Sequence, residues 1–549
     1  MEQKRLFLAL GISLVLMLLY TNFMAPPPAQ PPAGRSPAPA ASAPPAPGQA
    51  PPPPAAPAAP APPAIEQAAE VKVETPLYTA WFSQRGGSLR KLVLKQFTNQ
   101  PRGQGGNFEL LSLPAAATYS LGLTLPNLDP HLNKRTFSAS AGEVNLSAGG
   151  QPQSLSFSAV SGGVEVVKTY TFRPDSYAFD LKVRLTNQTG QAMEIIPELV
   201  LAQDRDKSQT NTYAFTGLMA WRNNGLMEED QSDLESRKVE SGGVDWMCLA
   251  IPYFLTMVAP EHEPGAKRSV RGWVDEQNKR FMTATLVEPP STVNPGASRE
   301  LGYLAYFGPR DLDLLEPLGR QMAKAVDFGW FDIIAKPTLA LMKLAYGMIP
   351  NYGVAIIIIT ILIKILFWPL SAKSYKSMKR MQELQPMVMK LREKYGDDKA
   401  RMNQEVMQLY RTYKVNPMGG CLPMLLQIPV FIAFYKVLGS SIELRQAPFM
   451  LWINDLAAPD RLPIGFTIPY VGDGLPVLTL LMGASMFLQQ KMTPTTGDPT
   501  QAKIMLLMPV VFTFMFINFP AGLVLYWFVN NLLSIGQQYY TNQAKAKAS

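Results

Sequence analysis

Residues 352–370, YGVAIIIITILIKILFWPL, place one ammonium group, Lys364, inside a run otherwise apolar and long enough to cross a bilayer. In lipid only a segment that satisfies its own backbone hydrogen bonds can span, so the run is expected to be a transmembrane helix. Its lysine then needs a reason. Near the middle of a spanning helix it costs about 2.5–3.5 kcal/mol on insertion scales, and an intramembrane charge points to function. Two readings stay open. Lys364 lies about 9 Å from the end of the run, at about 1.5 Å per residue, so its four-carbon stem can snorkel to headgroups; alternatively it faces water inside a bundle.

The other apolar runs carry no counter-ion. No Asp, Glu or His falls within 421–438, 475–490 or 504–540. A lysine without a carboxylate keeps its proton only where water reaches it; otherwise it goes neutral.

The chain joins two kinds of sequence. At 549 residues it is too long for one domain, and its hydrophobic 47% is concentrated in the second half and at the N-terminus. Lys4 and Arg5 precede an apolar stretch to Met24 with no Ala-x-Ala cleavage site, so 1–24 is expected to be a retained transmembrane anchor rather than a cleaved signal. Residues 25–64 hold 18 prolines, mostly among alanines, and form no core; they read as an extended tether. Between 65 and 325 the pattern becomes β. Residues 177–185 alternate at period two after 164–172 and the turn sequence Arg173-Pro174-Asp175-Ser176, and 77–83 faces 89–94 across Gly86-Gly87. The expectation is an antiparallel β-sandwich. Aromatics on its strands are expected mainly in the core, with a carbohydrate cleft as the other reading.

Residues 326–349 carry Trp330 and Phe331 at one end and Pro337 within, which suits an interfacial amphipathic helix better than a straight span. The loop charges then set topology. Residues 371–418 hold eleven Lys or Arg against five Asp or Glu, whereas 441–476 hold two against four, which puts the first loop in the cytoplasm and the second outside. The expected spans are 1–24, 350–371, 419–440, 475–491, 504–519 and 520–540. They make a six-span α-helical bundle with both termini inside and the sandwich outside. A periplasmic loop, 441–474, a cytoplasmic loop, 492–503, and a basic cytoplasmic tail, 541–549, complete the chain. Within 372–418 apolar residues recur at three and four from Met378 to Tyr395 and from Met402 to Tyr413, around a break at Gly396-Asp397-Asp398, so this loop is expected to be a helical hairpin with its methionines inside. Its basic faces are open to anionic lipid or ribosomal RNA, or are simply solvated.

Function classes narrow accordingly. Cys248 and Cys421 are the only cysteines and His131 and His262 the only histidines, without ligand spacing or a catalytic motif. No enzyme, metal or cofactor is indicated. The net charge of +8 does not demand a nucleic-acid partner; no DNA binding is expected. On the last span Tyr526, Asn530, Ser534 and Gln537 form one stripe, with Trp527 and Asn531 beside it; Gln427 lies on the third span, and Thr360 one turn before Lys364. Each can be interhelical glue; together with Lys364 they suggest a hydrated groove. Sixteen residues, as in 504–519, cover about 24 Å against a hydrocarbon core of about 30 Å, which favours a thinned bilayer.

Five blocks, KVNPMGGCLP (414–423), QIPV (427–430), ELRQAPF (443–449), QKMTPTT (490–496) and FPAGLVLY (519–526), resemble the YidC-type membrane protein insertases. KTYTF (168–172) and GGSL (86–89) resemble, more loosely, the Gram-negative form with a large periplasmic domain. The resemblance implies an inner-membrane protein that inserts and helps fold newly made membrane proteins. It implies a groove open to cytoplasm and lipid whose cation attracts the polar end of the incoming chain, while its apolar segment slides out along the third and fifth spans. The groove cation of that family is usually arginine; here it is Lys364. Thr360, Gln427 and Trp527 match other groove positions, and Tyr526 and Asn530 lie on the same wall. Nascent inner-membrane proteins, the Sec translocon, translating ribosomes and membrane lipids are the implied partners. The sandwich resembles sugar-binding folds and is accessory in the family. The rival readings are a secondary transporter of a small anion, which lacks intramembrane carboxylates for coupling, and a tethered carbohydrate enzyme, which lacks an acid pair.

Overall fold

The structure is a computed structural model that describes residues 68–101, 105–204, 215–236, 239–263, 266–275, 280–395, 398–415, 422–469, 471–492 and 499–546, all within one compact unit, Ile65–Ser549. The expected anchor, the tether and the end of the basic tail lie outside the described residues.

Strand Val164–Phe172 buries every second residue, from Val164 to Phe172, and pairs antiparallel with Ala178–Asn187 across the expected turn. These two belong to a nine-stranded antiparallel sheet in which Ser298–Pro309 lies between Ala178–Asn187 and Phe254–Pro260. Tyr78–Ser83 pairs with Ser88–Thr98 in a five-stranded sheet. Another five-stranded sheet has Glu198–Asp204 beside Phe281–Val287, and a two-stranded ribbon joins Met193–Ile195 to Ser291–Val293. The domain is not wholly antiparallel as expected: Glu70–Glu74 runs parallel to Glu143–Asn145. The long stretch between them lets the chain re-enter the sheet in the same direction.

The sheets close on an aromatic core. Phe82, from the five-stranded sheet, lies 4.7 Å from the Tyr170 ring and 5.6 Å from Phe172 of the nine-stranded sheet, and all three are buried. Each such pair adds about 0.5–1.5 kcal/mol beyond area burial. These strand aromatics serve as core. The last strand ends at Pro309, earlier than the expected domain limit, and short helical turns carry the chain to Ala325.

Eight further helices follow: α1 Asp332–Met348, α2 Tyr352–Glu383, α3 Gln385–Lys394, α4 Lys399–Thr412, α5 Leu422–Ser440, α6 Val477–Met492, α7 Pro499–Phe516 and α8 Ala521–Ala546. Among the described residues α2 is the helix both long and apolar enough to cross a membrane by length and composition. Asn351 caps it, its side chain accepting from the Val354 amide at 3.1 Å.

Several boundaries differ from expectation. The Lys364 helix does not stop near 371 but runs through Pro369 to Glu383. Proline removes one donor, toward Ile365, and the polar, helix-compatible residues after it carry the helix on. The first arm of the expected hairpin therefore begins as a continuation of α2, bends at Leu384 before Pro386, and resumes as α3, against which α4 packs. Met378, Met381, Leu384 and Val388 are buried as the spacing implies, but Tyr410 and Val415, not Tyr413, close that small core, and Met387, Met389 and Met407 are exposed. Met387 and Met389 flank the buried Val388 and lie off the apolar stripe, so the methionines are not all internal. The helix of the fifth expected span, 504–519, runs instead from Pro499 to Phe516, which gives α7 18 residues rather than sixteen; Pro is favoured in a first turn. Pro337 sits inside α1, whose Ala335, Leu339, Met342 and Ala345 are buried while Ile333, Leu344 and Met348 face outward.

Candidate functional site

The site is built on α8, which packs against α2 on one side and α6 on the other, while α7 rests on α6. Because α8 alternates large apolar residues with short polar ones at helical spacing, it presents different polar groups to each neighbour. Toward α6, Asn531 donates to Ser485 Oγ at 3.0 Å and Gln538 to the Met492 carbonyl at 2.6 Å. These two are interhelical glue, not groove lining.

Toward α2 and α5 the polar groups meet the predicted site residues. Lys364 Nζ donates to Ser534 Oγ at 2.6 Å. Ser534 in turn donates to the Asn530 carbonyl at 2.7 Å. Tyr375, about three turns beyond Lys364 on the same face of α2, is directed toward Ser534 as well. Gln537 reaches the Trp368 carbonyl at 3.3 Å. Lys364, half-buried, thus points to α8.

On α5, Gln427 Nε2 donates to the hydroxyl of Tyr526, a fully buried residue whose ring stacks on Phe434 at 4.4 Å. Trp527 sits edge-on to Phe431 at 5.0 Å and lies 5.2 Å from Phe516 of α7. Phe431 and Phe516, 5.8 Å apart, bring α5 and α7 together through rings. The Asn530 amide is half-buried, and among the described residues it takes no hydrogen bond. Thr360 is buried, and its hydroxyl donates to the Ile356 carbonyl of its own helix at 2.6 Å. It is satisfied locally and joins no cross-helix link.

Of the six predicted residues, Lys364 and Gln427 are therefore each tied to α8, Tyr526 and Trp527 form its ring-lined stretch, Asn530 supplies the carbonyl that orders Ser534, and Thr360 stands apart. Ser534 had been visible as part of the stripe. Tyr375 had not; its register with Lys364 on a continuous helix was hidden by ending that helix at 371.

Outside these contacts the bundle is apolar. Ile365 and Leu366 of α2, Leu507 and Phe514 of α7 and Leu488 of α6 are exposed. A water-soluble fold does not leave such helices uncovered, and with a polar wall inside they define an integral membrane protein carrying a large β-rich domain. The comparisons agree. The chain matches the family model "YidC periplasmic domain" over residues 70–341 and "60Kd inner membrane protein" over 344–548. It is 44% identical to the membrane protein insertase YidC of Pelobacter propionicus, over 98% of this chain and 99% of the relative, and 42% identical to that of Geobacter sulfurreducens, over 100% and 99%. A crystal structure of an active YidC insertase is similar at 18% identity, covering 87% of this chain and 95% of the other, with a TM-score of 0.36.

The chain belongs to the YidC family of membrane protein insertases, inner-membrane proteins with a periplasmic domain.

Proposed function

We propose that this chain inserts newly made inner-membrane proteins through a hydrated groove between α2, α5, α7 and α8, with Lys364 as the electrostatic lure. The observation that carries the reading is the partner of Lys364: a neutral hydroxyl, Ser534, in a bundle whose apolar stretches hold no acid. The charge is positioned yet not cancelled, so the attraction remains available to the acidic or polar outer end of an incoming chain. Gln427, backed by the buried Tyr526 hydroxyl, and Asn530 extend the polar wall, and Trp527 with Phe431 and Phe516 begins the apolar route along α5 and α7. Burial of the client's own apolar segment in lipid drives the step, and no covalent bond is made or broken.

The loop charges support six spans with both termini in the cytoplasm, the β-rich domain outside, α1 along the outer interface and the α3–α4 hairpin inside. Translating ribosomes deliver clients to that side, and the Sec translocon shares those that need it. The 18 residues of α7 reach about 27 Å, still short of a hydrocarbon core of about 30 Å, which keeps the bilayer thin beside the groove.

Purified protein in liposomes, supplied with a small membrane protein bearing a short acidic outer tail, tests this. Lys364→Ala should sharply reduce insertion and Lys364→Arg should sustain it. Unimpaired insertion by Lys364→Ala across several such clients overturns the lure; saturable uptake of a small anion would restore the transporter reading.

A further inference from the structure

We propose that Ser534 is a positioning residue for the groove cation: its hydroxyl, ordered by the Asn530 carbonyl, holds the Lys364 ammonium by one N–H and leaves the other two for the incoming chain. This rests on Lys364 being the lure.

The argument is one of hydrogen-bond capacity. A serine hydroxyl has one proton and two lone pairs. At 2.7 Å from the Asn530 carbonyl, which can only accept, Ser534 must spend its proton there. Its oxygen is then left solely as an acceptor, and it faces Lys364 Nζ at 2.6 Å. The proton and one lone pair of Ser534 are thereby committed, and Ser534 itself is 3% exposed, so the hydroxyl has no second proton with which to turn away from the ammonium.

That geometry explains how a bundle keeps a flexible lysine in place without a carboxylate. A lysine stem has several rotatable bonds and a compact charge; left alone it would fold back along α2 or snorkel. An acid at 534 would hold it more strongly but would cancel the field that a client must feel. A neutral acceptor with a fixed orientation fixes the nitrogen and preserves its charge.

The test uses the full chain in liposomes, with two clients that differ only in their outer tail, one acidic and one with those acids neutralised to amides. Ser534→Ala should lower insertion of the acidic-tail client about tenfold, the size of one hydrogen bond to a charged group, and lower the neutral-tail client far less. Ser534→Thr, which keeps the acceptor and the proton, should restore the acidic-tail client. Added to Lys364→Ala, Ser534→Ala should change nothing further, because its effect passes through the lysine. Equal losses on both clients, no loss on either, or full additivity with Lys364→Ala would overturn the positioning role, the first of these marking a merely structural serine. An inert Lys364→Ala would instead overturn the lure beneath it.

Discussion

Arg445, in the loop after α5, holds its guanidinium 5.0 Å from the centroid of Phe108, a ring of the β-rich domain. The same guanidinium lies 5.4 Å from Phe254, which stacks on Phe108 at 4.3 Å, and its Nη2 donates to the Thr98 carbonyl at 2.7 Å. Gln446 adds two bonds to Thr98, donating to its carbonyl at 3.0 Å and accepting from its hydroxyl at 3.1 Å. A second tie runs through α1, where Lys343 pairs with Glu443 of the same loop at 2.6 Å and with Asp313 below the last strand at 2.9 Å. The helical bundle and the sandwich are thus clasped at two points by residues 443–446.

Loss of the Arg445 clasp should loosen the edge of the sandwich without unfolding it. One charged hydrogen bond and a cation–π contact together come to about 2 kcal/mol. In Arg445→Ala, amide hydrogen exchange over residues 96–108 should accelerate by about tenfold or more at that cost, while exchange in Val164–Phe172 should hold. Arg445→Lys should restore little, because an ammonium cannot both lie flat on the rings and reach Thr98. Unchanged exchange in Arg445→Ala would mean that Lys343 and Glu443 hold the clasp alone.

Lys168 predicts a pH dependence. It takes an inward position of its strand, fully buried, where its Nζ donates to the carbonyls of Gly86 at 3.0 Å, Gly87 at 2.8 Å and Leu121 at 2.6 Å. Burial pulls its pKa down to about 7, whereas an unfolded lysine titrates near 10.4. Between those values the unfolded chain binds a proton that the folded chain does not, so stability must rise with pH, by up to about 1.4 kcal/mol per unit. Below about 7 both states are protonated and this slope vanishes. Denaturant unfolding of the β-rich domain within the full chain, followed from pH 6 to 9, should show stability climbing above 7, and Lys168→Met should flatten the climb. A wild-type profile parallel to that of Lys168→Met would refute the assignment.

The two lysines show what a sequence makes legible. Lys364 stands out because, Thr360 apart, its neighbours for nearly two turns on either side are apolar, so its cost can be read before any contact is known. Lys168 does not, since a lysine on a strand usually faces water. Strict alternation nevertheless puts it on the same face as Val164, Val166, Tyr170 and Phe172, and that register was the available signal. The strands themselves were readable from period two and turn residues. The parallel pairing of Glu70–Glu74 with Glu143–Asn145 was not, because nothing local distinguishes it. At the site, Gln427 and Lys364 were readable as misplaced polar groups. Their partners were set by helix rotation, and Tyr375 fell into register only because the helix survives Pro369.

Gly483 sets the distance between α6 and α7, and with it the position of the apolar wall. A β-carbon there would collide with the hydroxyl of Thr513, whose own carbon atoms stand 3.2 Å away. Thr513 cannot simply swing aside, because its hydroxyl donates to the Pro509 carbonyl at 2.7 Å. Gly483→Ala should therefore push α7 off α6 and destabilise the bundle by about 1–3 kcal/mol, the usual cost of overpacking. Since α7 also carries Phe516 toward Trp527 and Phe431, the displacement should reduce insertion as well as lower the melting temperature. Thr513→Ala removes the colliding oxygen, so the double variant should regain most of both. If Gly483→Ala melts and inserts like the parent, the two helices have slack at this crossing, and α7 is free to move when a client slides past it.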